Sequence, residues 1–277
     1  MPNFGYLANP ETVTRVALEA EQLGYSCVWV AERLLVPVPP NQGWSRRNPT
    51  AYEPLVTLSY IAARTNEISL GTAVIILPVR NPVLLARQAA SLDRLSGGRL
   101  ELGVGIGWMR EEMEVSNVPF SERGRIADEY ISAMRKIWMG KGFNGRYDSV
   151  PENLFEPKPI KGQIPIWIGG NSDAALRRAA RLGDGWIPMG QSEPEEMEST
   201  VRRLTSMAKE VGRDPVKVAC NLRVDDRLPG QADWCISKIE AYERSGVYEI
   251  IPRFESERLE DRLRLMRIFS SEVMNSF

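Results

Sequence analysis

Histidine is absent from this chain of 277 residues. Histidine is the commonest proton shuttle near neutral pH and a frequent metal ligand. Its absence argues against zinc hydrolases and against nucleophile chemistry that depends on a Ser-His-Asp arrangement. Any acid or base step must therefore use a carboxylate, a tyrosine, a thiol, a shifted lysine, or no side chain at all.

Cysteine is scarce as well, with one residue each at Cys27, Cys220 and Cys235. Their spacing includes no CxxC pair and no other metal-ligand pattern, which indicates buried thiols in a reducing compartment. The N-terminal stretch MPNFGYLANPE has neither a basic region nor a long apolar run, so nothing suggests secretion. The sequence therefore predicts a cytoplasmic protein without a metal site.

The chain also lacks an excess of charge and a long apolar run. Lys and Arg total 35 against 36 Asp and Glu, which gives a net charge of -1. No strong field would attract nucleic acid or an acidic membrane surface. No run reaches the ~18 apolar residues that a spanning helix needs. The expected partner is a small molecule, with neither nucleic acid nor membrane.

Apolar stretches alternate with amphipathic stretches along the whole chain. The eight predicted strands are residues 3–7, 27–31, 68–77, 100–106, 164–168, 185–189, 216–224 and 247–251. Each is followed by a segment of helical periodicity, the first of which has Asn9 as its expected N-cap and Pro10 at its first position. The longest interruption is a Gly- and Pro-rich connection at about residues 140–163, before the fifth strand.

Eight strand-helix units predict an α/β fold, a (β/α)8 TIM barrel, as a single domain over residues 1–277 with a short Gly/Pro-rich insertion before the fifth strand. A doubly wound open sheet also alternates strand and helix and is the rival architecture. The uninterrupted alternation favours closure. In a barrel, functional side chains lie at the C-terminal ends of the strands and in the loops that follow.

The segment IWIGGNSDAALRRAARLGDGW, residues 166–186, predicts a strand that runs into an anion cradle. Gly169 and Gly170 precede Asn171 and Ser172 at the head of a helix. Free amides and a hydroxyl group at a helix N-terminus, together with the helix dipole, favour a phosphate or a carboxylate. An ordinary strand-to-helix turn with a serine N-cap is the alternative.

Glycines alternate in the stretch GVGIGWMREE, residues 103–112. Its GxGxG spacing is not the GxGxxG of a dinucleotide fold. Gly103, Gly105 and Gly107 share one face of the predicted strand, and glycine inside a strand often marks the close approach of a ligand or of another backbone. A planar ring against that face would explain them, and a crowded barrel interior is the other explanation.

Charged residues occur at two predicted strand ends. Glu32 closes the second strand, where it could bond a ring nitrogen or a substrate, or pair with Arg33 or another cation at the rim. Glu111 and Glu112 suit the positive end of a helix dipole, and a catalytic pair is the alternative. Loop 34–52, which contains Trp44 and two arginines, is long enough for a lid or could form a dimer contact.

Four stretches taken together resemble the luciferase-like monooxygenase superfamily, in particular its branch that uses the deazaflavin coenzyme F420. They are EAEQLGYSCVWVAE, the run from ISLGTAVIILPVRNP to GVGIGWMREE, the segment from FSERGRIADEY to IWMG, and PIWIGGNSDAALRRAARLGDGWIPMG. Their order and spacing are intact over residues 19–190. The resemblance implies an eight-stranded barrel with its cofactor at the C-terminal face.

The resemblance also implies which residues form the cofactor site. In that family a bulge in strand three with a non-prolyl cis peptide supports the back of the tricyclic ring, and the matching residues here are Ala73 and Val74. The implied cofactor-binding residues are Ala73, Val74, Gly105, Gly107, Trp108, Gly169, Gly170, Asn171, Ser172, Gly185 and Trp186, with the anion on Gly169 to Ser172 and the last two near the tail of the cofactor.

This sequence departs from its relatives at two positions. Many relatives have an acidic residue followed by histidine at the end of strand two, where this chain has Glu32 and Arg33. Arginine stays cationic and donates no proton, although it can stabilise an anion. Glu32 and Arg33 are therefore the candidate catalytic residues. Trp108 stands where some relatives place a catalytic carboxylate.

The resulting hypothesis is an F420-dependent oxidoreductase that transfers a hydride between C5 of the deazaflavin and a small organic substrate. Glu32, or a water molecule that it holds, would handle any proton, so Glu32→Gln should slow turnover and leave cofactor affinity nearly unchanged. The alternatives are a two-component monooxygenase that uses FMN, a barrel that binds flavin or deazaflavin without catalysis, and a barrel that acts on a sugar phosphate without a redox cofactor. A homodimer is expected from the resemblance. Substrate identity and the direction of hydride transfer stay open.

Overall fold

Parallel strands and helices alternate in the computed structural model, which describes residues 1–35 and 50–277. The helices are α1 Pro10–Gln22, α2 Pro54–Ala62, α3 Pro82–Leu95, α4 Arg110–Val115, α5 Arg123–Trp138, α6 Asp173–Leu182, α7 Pro194–Glu210, α8 Ala232–Arg244 and α9 Leu259–Ile268. The strands are β1 Cys27–Val30, β2 Ser69–Thr72, β3 Ile75–Ile76, β4 Leu100–Gly105, β5 Phe143–Asn144, β6 Ser149–Val150, β7 Ile166–Gly169, β8 Gly185–Ile187, β9 Lys217–Val224 and β10 Glu249–Phe254.

Eight of these strands form one curled sheet in the order β1-β2-β4-β7-β8-β9-β10, with β3 beside β4. Every neighbouring pair in it is parallel. The predicted α/β class and its parallel sheet are confirmed. Among the described residues, β1 and β10 do not pair with each other, so the sheet forms a half-barrel and the predicted closure is not seen.

The prediction of a first strand at residues 3–7 is wrong. In the part of the chain that the structure describes, the sheet lacks closure at the place that this strand would have filled. Residues 5–7 form a 3-10 helix, and Phe4 makes an isolated antiparallel bridge with Ala51. Gly5 turns the chain there at a φ of 72°, a conformation that extended strands do not use. Met1 and Asn3 still bond along β1: the amino group of Met1 donates to the carbonyl of Trp29 at 2.9 Å, and the side-chain amide of Asn3 donates to the carbonyl of Ala31 at 2.7 Å.

The helix starts follow the sequence signals. Asn9 caps α1 by accepting from the amide of Thr12 at 2.9 Å, with Pro10 at the first helical position. Asn81 and Pro82 begin α3 in the same way. Proline suits the first position because its missing amide hydrogen would have no intrahelical partner. These caps orient helices whose apolar faces pack on the outside of the sheet.

The concave side of the sheet holds its own apolar cluster. Trp29 and Trp167 meet edge to face at 5.7 Å between ring centroids, with Ile187, Ala219 and Ile251 around them. A large ring leaves room only for a small residue opposite it on the adjacent strand. Gly71 and Gly185 supply that room, since a Cβ on either would overlap the ring of Trp29 or Trp167 respectively.

The Gly/Pro-rich connection contains a small hairpin. Strands β5 and β6 pair in antiparallel fashion. Glu129 on α5 accepts hydrogen bonds from the amides of Arg146, Tyr147 and Asp148 in the hairpin turn. A carboxylate that accepts several amide hydrogens holds a turn firmly, so the hairpin is fixed to the outside of α5. Within the described ranges, no helix is both long and apolar enough to span a membrane.

Candidate active site

A backbone bulge separates β2 from β3 at the C-terminal end of the sheet. The peptide bond between Ala73 and Val74 is cis and non-prolyl, as the resemblance predicted. The bulge is held on both sides. The amide of Ala73 donates to the carbonyl of Val30 at 2.6 Å, and the hydroxyl of Thr72 donates to the carbonyl of Gly103 at 2.7 Å.

The alternating glycines face this bulge. A Cβ on Gly105 would lie 2.7 Å from Cγ2 of Val74, and one on Gly169 would lie 2.8 Å from Cγ1. A Cβ on Gly103 would overlap the carbonyl oxygen of Thr72. Crowding by Thr72 and by Val74 of the bulge thus accounts for these glycines. Contact between Gly105 and a bound ring stays a prediction.

The loop after β4 turns at Gly107, whose φ is 73°. A Cβ there would lie 2.8 Å from Cγ2 of Ile76, so this glycine is required both by conformation and by space. Arg123 fixes the turn by donating from Nε to the carbonyl of Gly107 at 3.1 Å. Trp108 follows and is 39% exposed, with the guanidinium of Arg33 4.7 Å from its ring centroid.

Glu32 lies directly beyond β1 and is engaged on both carboxylate oxygens. Oε2 accepts from the amide of Ile76, and Oε1 pairs with Arg80. The side chain of Glu32 is 4% exposed. Burial raises the pKa of Glu32, and the charge of Arg80 opposes that rise. Arg80 also binds Oε1 of Glu53 at 2.8 Å. Glu32 therefore forms a salt bridge to a cation at the rim, which was one of its predicted roles.

Arg33 forms a separate ion pair with a residue on helix α4. Its Nη1 lies 2.9 Å from Oε2 of Glu112, and the amide of Leu34 donates to Oε1 of the same carboxylate at 2.8 Å. The side chain of Arg33 is 9% exposed and that of Glu112 is fully buried. Sequence reasoning assigned Glu112 to the helix dipole and missed this contact. Only a long-range pairing reveals it, because an acidic residue in a first helical turn is ordinary.

The predicted anion cradle lies at the N-terminus of α6. Ser172 caps the helix, with its Oγ 3.2 Å from the amide of Ala175. Gly170 precedes it at a φ of 119°. The remaining first-turn amides have no intrahelical acceptor, and the helix dipole adds positive potential there. The serine N-cap that was the alternative is present, and it leaves the other amides able to bind an anion.

Hydrogen bonds from two side chains hold the cradle against the next loop and strand. The side chain of Asn171 donates to the carbonyl of Met189 at 2.9 Å and accepts from its amide at 2.7 Å. Nε1 of Trp186 donates to the carbonyl of Gly170 at 2.7 Å. Asn171 therefore shapes the cradle through its side chain. Trp186 is buried beneath the cradle.

The predicted site residues fall into two groups. The bulge follows β2, the glycine turn follows β4 and the cradle lies at the end of β7, so all three are at the C-terminal edge of the sheet, where these strands are neighbours in the order β2-β4-β7. Gly185 lies at the start of β8, away from that edge, where it faces Trp167. The interior of the loop predicted as a lid, including Trp44, Arg46 and Arg47, lies outside the described residues.

This arrangement fits a flat cofactor that carries a phosphate. The residues able to hold it are the Ala73–Val74 bulge behind a ring and Gly170, Ser172 and the first-turn amides of α6 around an anion. A bulge braced by two strands is rigid, and helix-terminal amides bind phosphate well. Glu32 and Arg33 contribute no free charge to this surface, because each is in an ion pair.

The chain resembles proteins of known sequence. The sequence model of the luciferase-like monooxygenase family matches residues 3–224. An uncharacterized protein of Mycobacterium tuberculosis is 30% identical over 243 residues, which cover 82% of this chain and 86% of that protein. The F420-dependent glucose-6-phosphate dehydrogenase of Microbacterium testaceum is 27% identical over 294 residues, which cover 99% of this chain and 84% of that protein.

Solved structures share the fold. An F420-dependent secondary alcohol dehydrogenase in complex with an F420-acetone adduct has a TM-score of 0.81 at 17% identity, with 97% of this chain and 95% of that chain covered. The monooxygenase RslO1 from Streptomyces bottropensis has a TM-score of 0.77 at 20% identity, with 96% and 93% covered. At these identities the likeness concerns the fold alone.

Proposed function

The chain belongs to the luciferase-like monooxygenase family, and on that premise we propose that it is an F420-dependent oxidoreductase acting on a small organic substrate. The observation that carries the proposal is the Ala73–Val74 bulge, braced by Gly105 and Gly169, beside the capped N-terminus of α6. The relative from Microbacterium testaceum and the secondary alcohol dehydrogenase, both F420-dependent by name, support the choice of cofactor.

A bound deazaflavin would supply hydride transfer at C5. The protein supplies binding and orientation, which is the usual division of labour in cofactor enzymes. The bulge would hold one face of the ring, so that the substrate reaches the opposite face. The first-turn amides of α6 would bind the phosphate. Trp108, which is partly exposed beside the glycine turn, would cover the substrate side.

Charge at the site is already balanced by the protein. Glu32 is paired with Arg80, and Arg33 with Glu112. Breaking either pair would leave a buried charge without its partner, which is strongly unfavourable. We therefore infer that the reaction proceeds without a proton from these side chains, in keeping with the absence of histidine. Solvent would supply any proton that the substrate needs.

The second candidate is a two-component monooxygenase that uses FMN. It is supported by the structural likeness to the monooxygenase RslO1. Both cofactors present a phosphate to the same cradle, so the cradle alone does not separate them. A barrel that binds either cofactor without catalysis is a further alternative.

A paired titration tests the choice. Purified protein is mixed with F420 and, separately, with FMN, and the quenching of cofactor fluorescence is followed. The proposal expects tight quenching with F420 and much weaker quenching with FMN. Quenching by FMN alone would favour the monooxygenase, and no response to either would contradict both. Alcohols, aldehydes and sugar phosphates are then screened for bleaching of the F420 absorbance.

We further propose that the protein works in the cytoplasm as a homodimer. All three cysteines are free thiols, as in reducing compartments. Light scattering on the purified protein should give twice the 31.2 kDa of one chain, and a mass of one chain would contradict the dimer. Fractionation of cells with an antibody against the protein tests its location.

A further inference from the structure

Glu32 was singled out as a proton-handling residue, and its contacts suit a different task. Its carboxylate lies 4% exposed at the end of β1, and its two oxygens bind the amide of Ile76 and the guanidinium of Arg80. A group that exchanges protons with a substrate must reach the reacting atoms within hydrogen-bonding distance. Glu32 would first have to give up an ion pair, at the cost of leaving Arg80 partly buried without it.

The partners of Glu32 lie on both sides of one short segment. Ile76 closes β3, two residues after Val74, and Arg80 follows the 3-10 helix Leu77–Val79 that ends this segment. The amide of Arg80 also donates to the carbonyl of Leu77 at 3.1 Å. Glu32 thus ties the end of β1 to the exit of the bulge.

The bulge itself is contacted from two sides of the sheet. Val74 is braced by Gly105 and Gly169, on β4 and β7. On the β1 side, the bulge has the bond from the amide of Ala73 to the carbonyl of Val30. The carboxylate of Glu32 adds a side-chain contact on this side, to Ile76 and Arg80, directly after the bulge. Without it, Ile76 would keep its pairing with β4 and lose its anchor to β1.

We propose that Glu32 is a positioning residue that fixes the Ala73–Val74 bulge through the Ile76 amide and Arg80, and that it takes no part in proton transfer. Its effect on the reaction rests on the proposed function, because it acts through the surface against which the cofactor ring would lie. The anchor itself is a property of the ligand-free protein.

The test compares three variants with the wild type. Glu32→Ala removes both contacts. Glu32→Gln keeps an acceptor for the Ile76 amide and removes the charge that Arg80 binds. Glu53→Gln is the matched control, because it removes the other carboxylate on Arg80, which is 39% exposed, without touching the bulge.

The first measurement is hydrogen exchange at the Ile76 amide in the ligand-free protein. Glu32→Ala should speed exchange about tenfold, as expected when a buried donor loses its acceptor. Glu32→Gln and Glu53→Gln should stay close to the wild type. If Glu32→Ala does not fold, Glu32→Met combined with Arg80→Met replaces it, because this pair lacks the acceptor and leaves neither charge buried alone.

The second measurement is the affinity for F420 and FMN, with the visible absorption spectrum of the bound cofactor as a record of the ring environment. Glu32→Ala should weaken binding about tenfold and shift the bound spectrum, and Glu32→Gln should restore most of both. A role limited to the stability of the fold would predict neither the shifted spectrum of the cofactor in Glu32→Ala nor its recovery in Glu32→Gln.

The outcomes separate the proposals. Unchanged Ile76 exchange in Glu32→Ala overturns the anchor. Unchanged cofactor affinity and spectrum in Glu32→Ala overturn the positioning role. If the wild type binds neither cofactor, the proposed function fails, and the exchange experiment still decides whether Glu32 anchors the bulge.

Discussion

The side chain of Val74 occupies the space next to Gly169, where a Cβ would lie 2.8 Å from its Cγ1. Val74 lies in the bulge between β2 and β3, and Gly169 ends β7, with β4 between them in the sheet order. Their contact explains why β7 ends with glycine, directly before the cradle loop. It also couples the two halves of the candidate site, since the bulge and the cradle touch at this point.

The first prediction concerns this contact. Gly169→Ala should destabilise the protein by about 1–3 kcal/mol, the usual cost of forcing extra volume into a packed interior. Chemical denaturation at constant pH measures the change. Gly230→Ala is the control, because a Cβ at Gly230 meets nothing within 4 Å. Combining Gly169→Ala with Val74→Ala should recover part of the loss, and an undiminished loss in the double variant would contradict the contact.

The second prediction concerns the buried pair of Arg33 and Glu112. Glu112→Ala should lower the free energy of unfolding by about 3–5 kcal/mol, because it removes the buried carboxylate to which the guanidinium of Arg33 and the amide of Leu34 donate. Glu112→Gln should cost less. Glu114→Ala on the same helix, at an exposed position, should have little effect. Equal stability of the Glu112 and Glu114 variants would show that the pair contributes nothing.

The third prediction separates capping from anion binding at Ser172. Ser172→Asp keeps a side-chain acceptor for the N-cap and so should preserve the stability of α6. The added negative charge should repel a phosphate and weaken FMN or F420 binding about tenfold or more. Riboflavin, which has no phosphate, is the control ligand and should bind equally to both proteins. A parallel loss of riboflavin and FMN binding would argue against an anion at this cradle.

The fourth prediction concerns two carboxyl groups on the concave face of the sheet. Glu101 accepts from Nε1 of Trp167 at 2.7 Å, and Glu249 accepts from Nε1 of Trp29 at 3.2 Å. Burial raises the pKa of each above the ordinary value of 4.5. The folded protein therefore holds these protons more tightly than the unfolded chain. Stability falls as the pH rises from about 4.5 through the raised pKa values.

Glu101→Gln keeps an acceptor for the indole and cannot ionise. It should raise the free energy of unfolding at pH 8 and change it little at pH 3, where the wild-type carboxyl is protonated in both states. Urea denaturation at the two pH values measures the difference. Glu152→Gln, at an exposed position, is the control. A stabilisation of equal size at both pH values would show that charge is not its cause.

Local rules account for most of the fold that was predicted. The predicted apolar runs form parallel strands. The Asn-Pro and Ser signals lie at helix starts, with Asn9, Asn81 and Ser172 as N-caps. The first strand failed because Gly5 turns the chain, and a single short apolar run does not reveal such a turn. The predicted strand at 68–77 was interrupted by the bulge, which the family resemblance indicated and periodicity did not.

The sequence indicated where the residues of the candidate site lie in the fold better than it indicated their contacts. Gly169 to Ser172 form a cradle because consecutive residues shape it, and the sequence shows such a turn directly. The partners of Glu32 and Arg33 lie more than forty residues away in the chain. No local pattern distinguishes Arg80 or Glu112 from ordinary surface charges, so pairing could only be read from the folded chain.

The sequence by itself determined the alternation of strand and helix, the capped start of α6, and the exclusion of histidine chemistry, since each depends on residue type or on near neighbours. The tertiary structure alone decided what lies against the glycines, because Val74 and Gly169 meet only when β3, β4 and β7 are side by side. It also decided that Glu32 and Arg33 are neutralised in separate pairs, since burial and a distant partner set the state of a charged group.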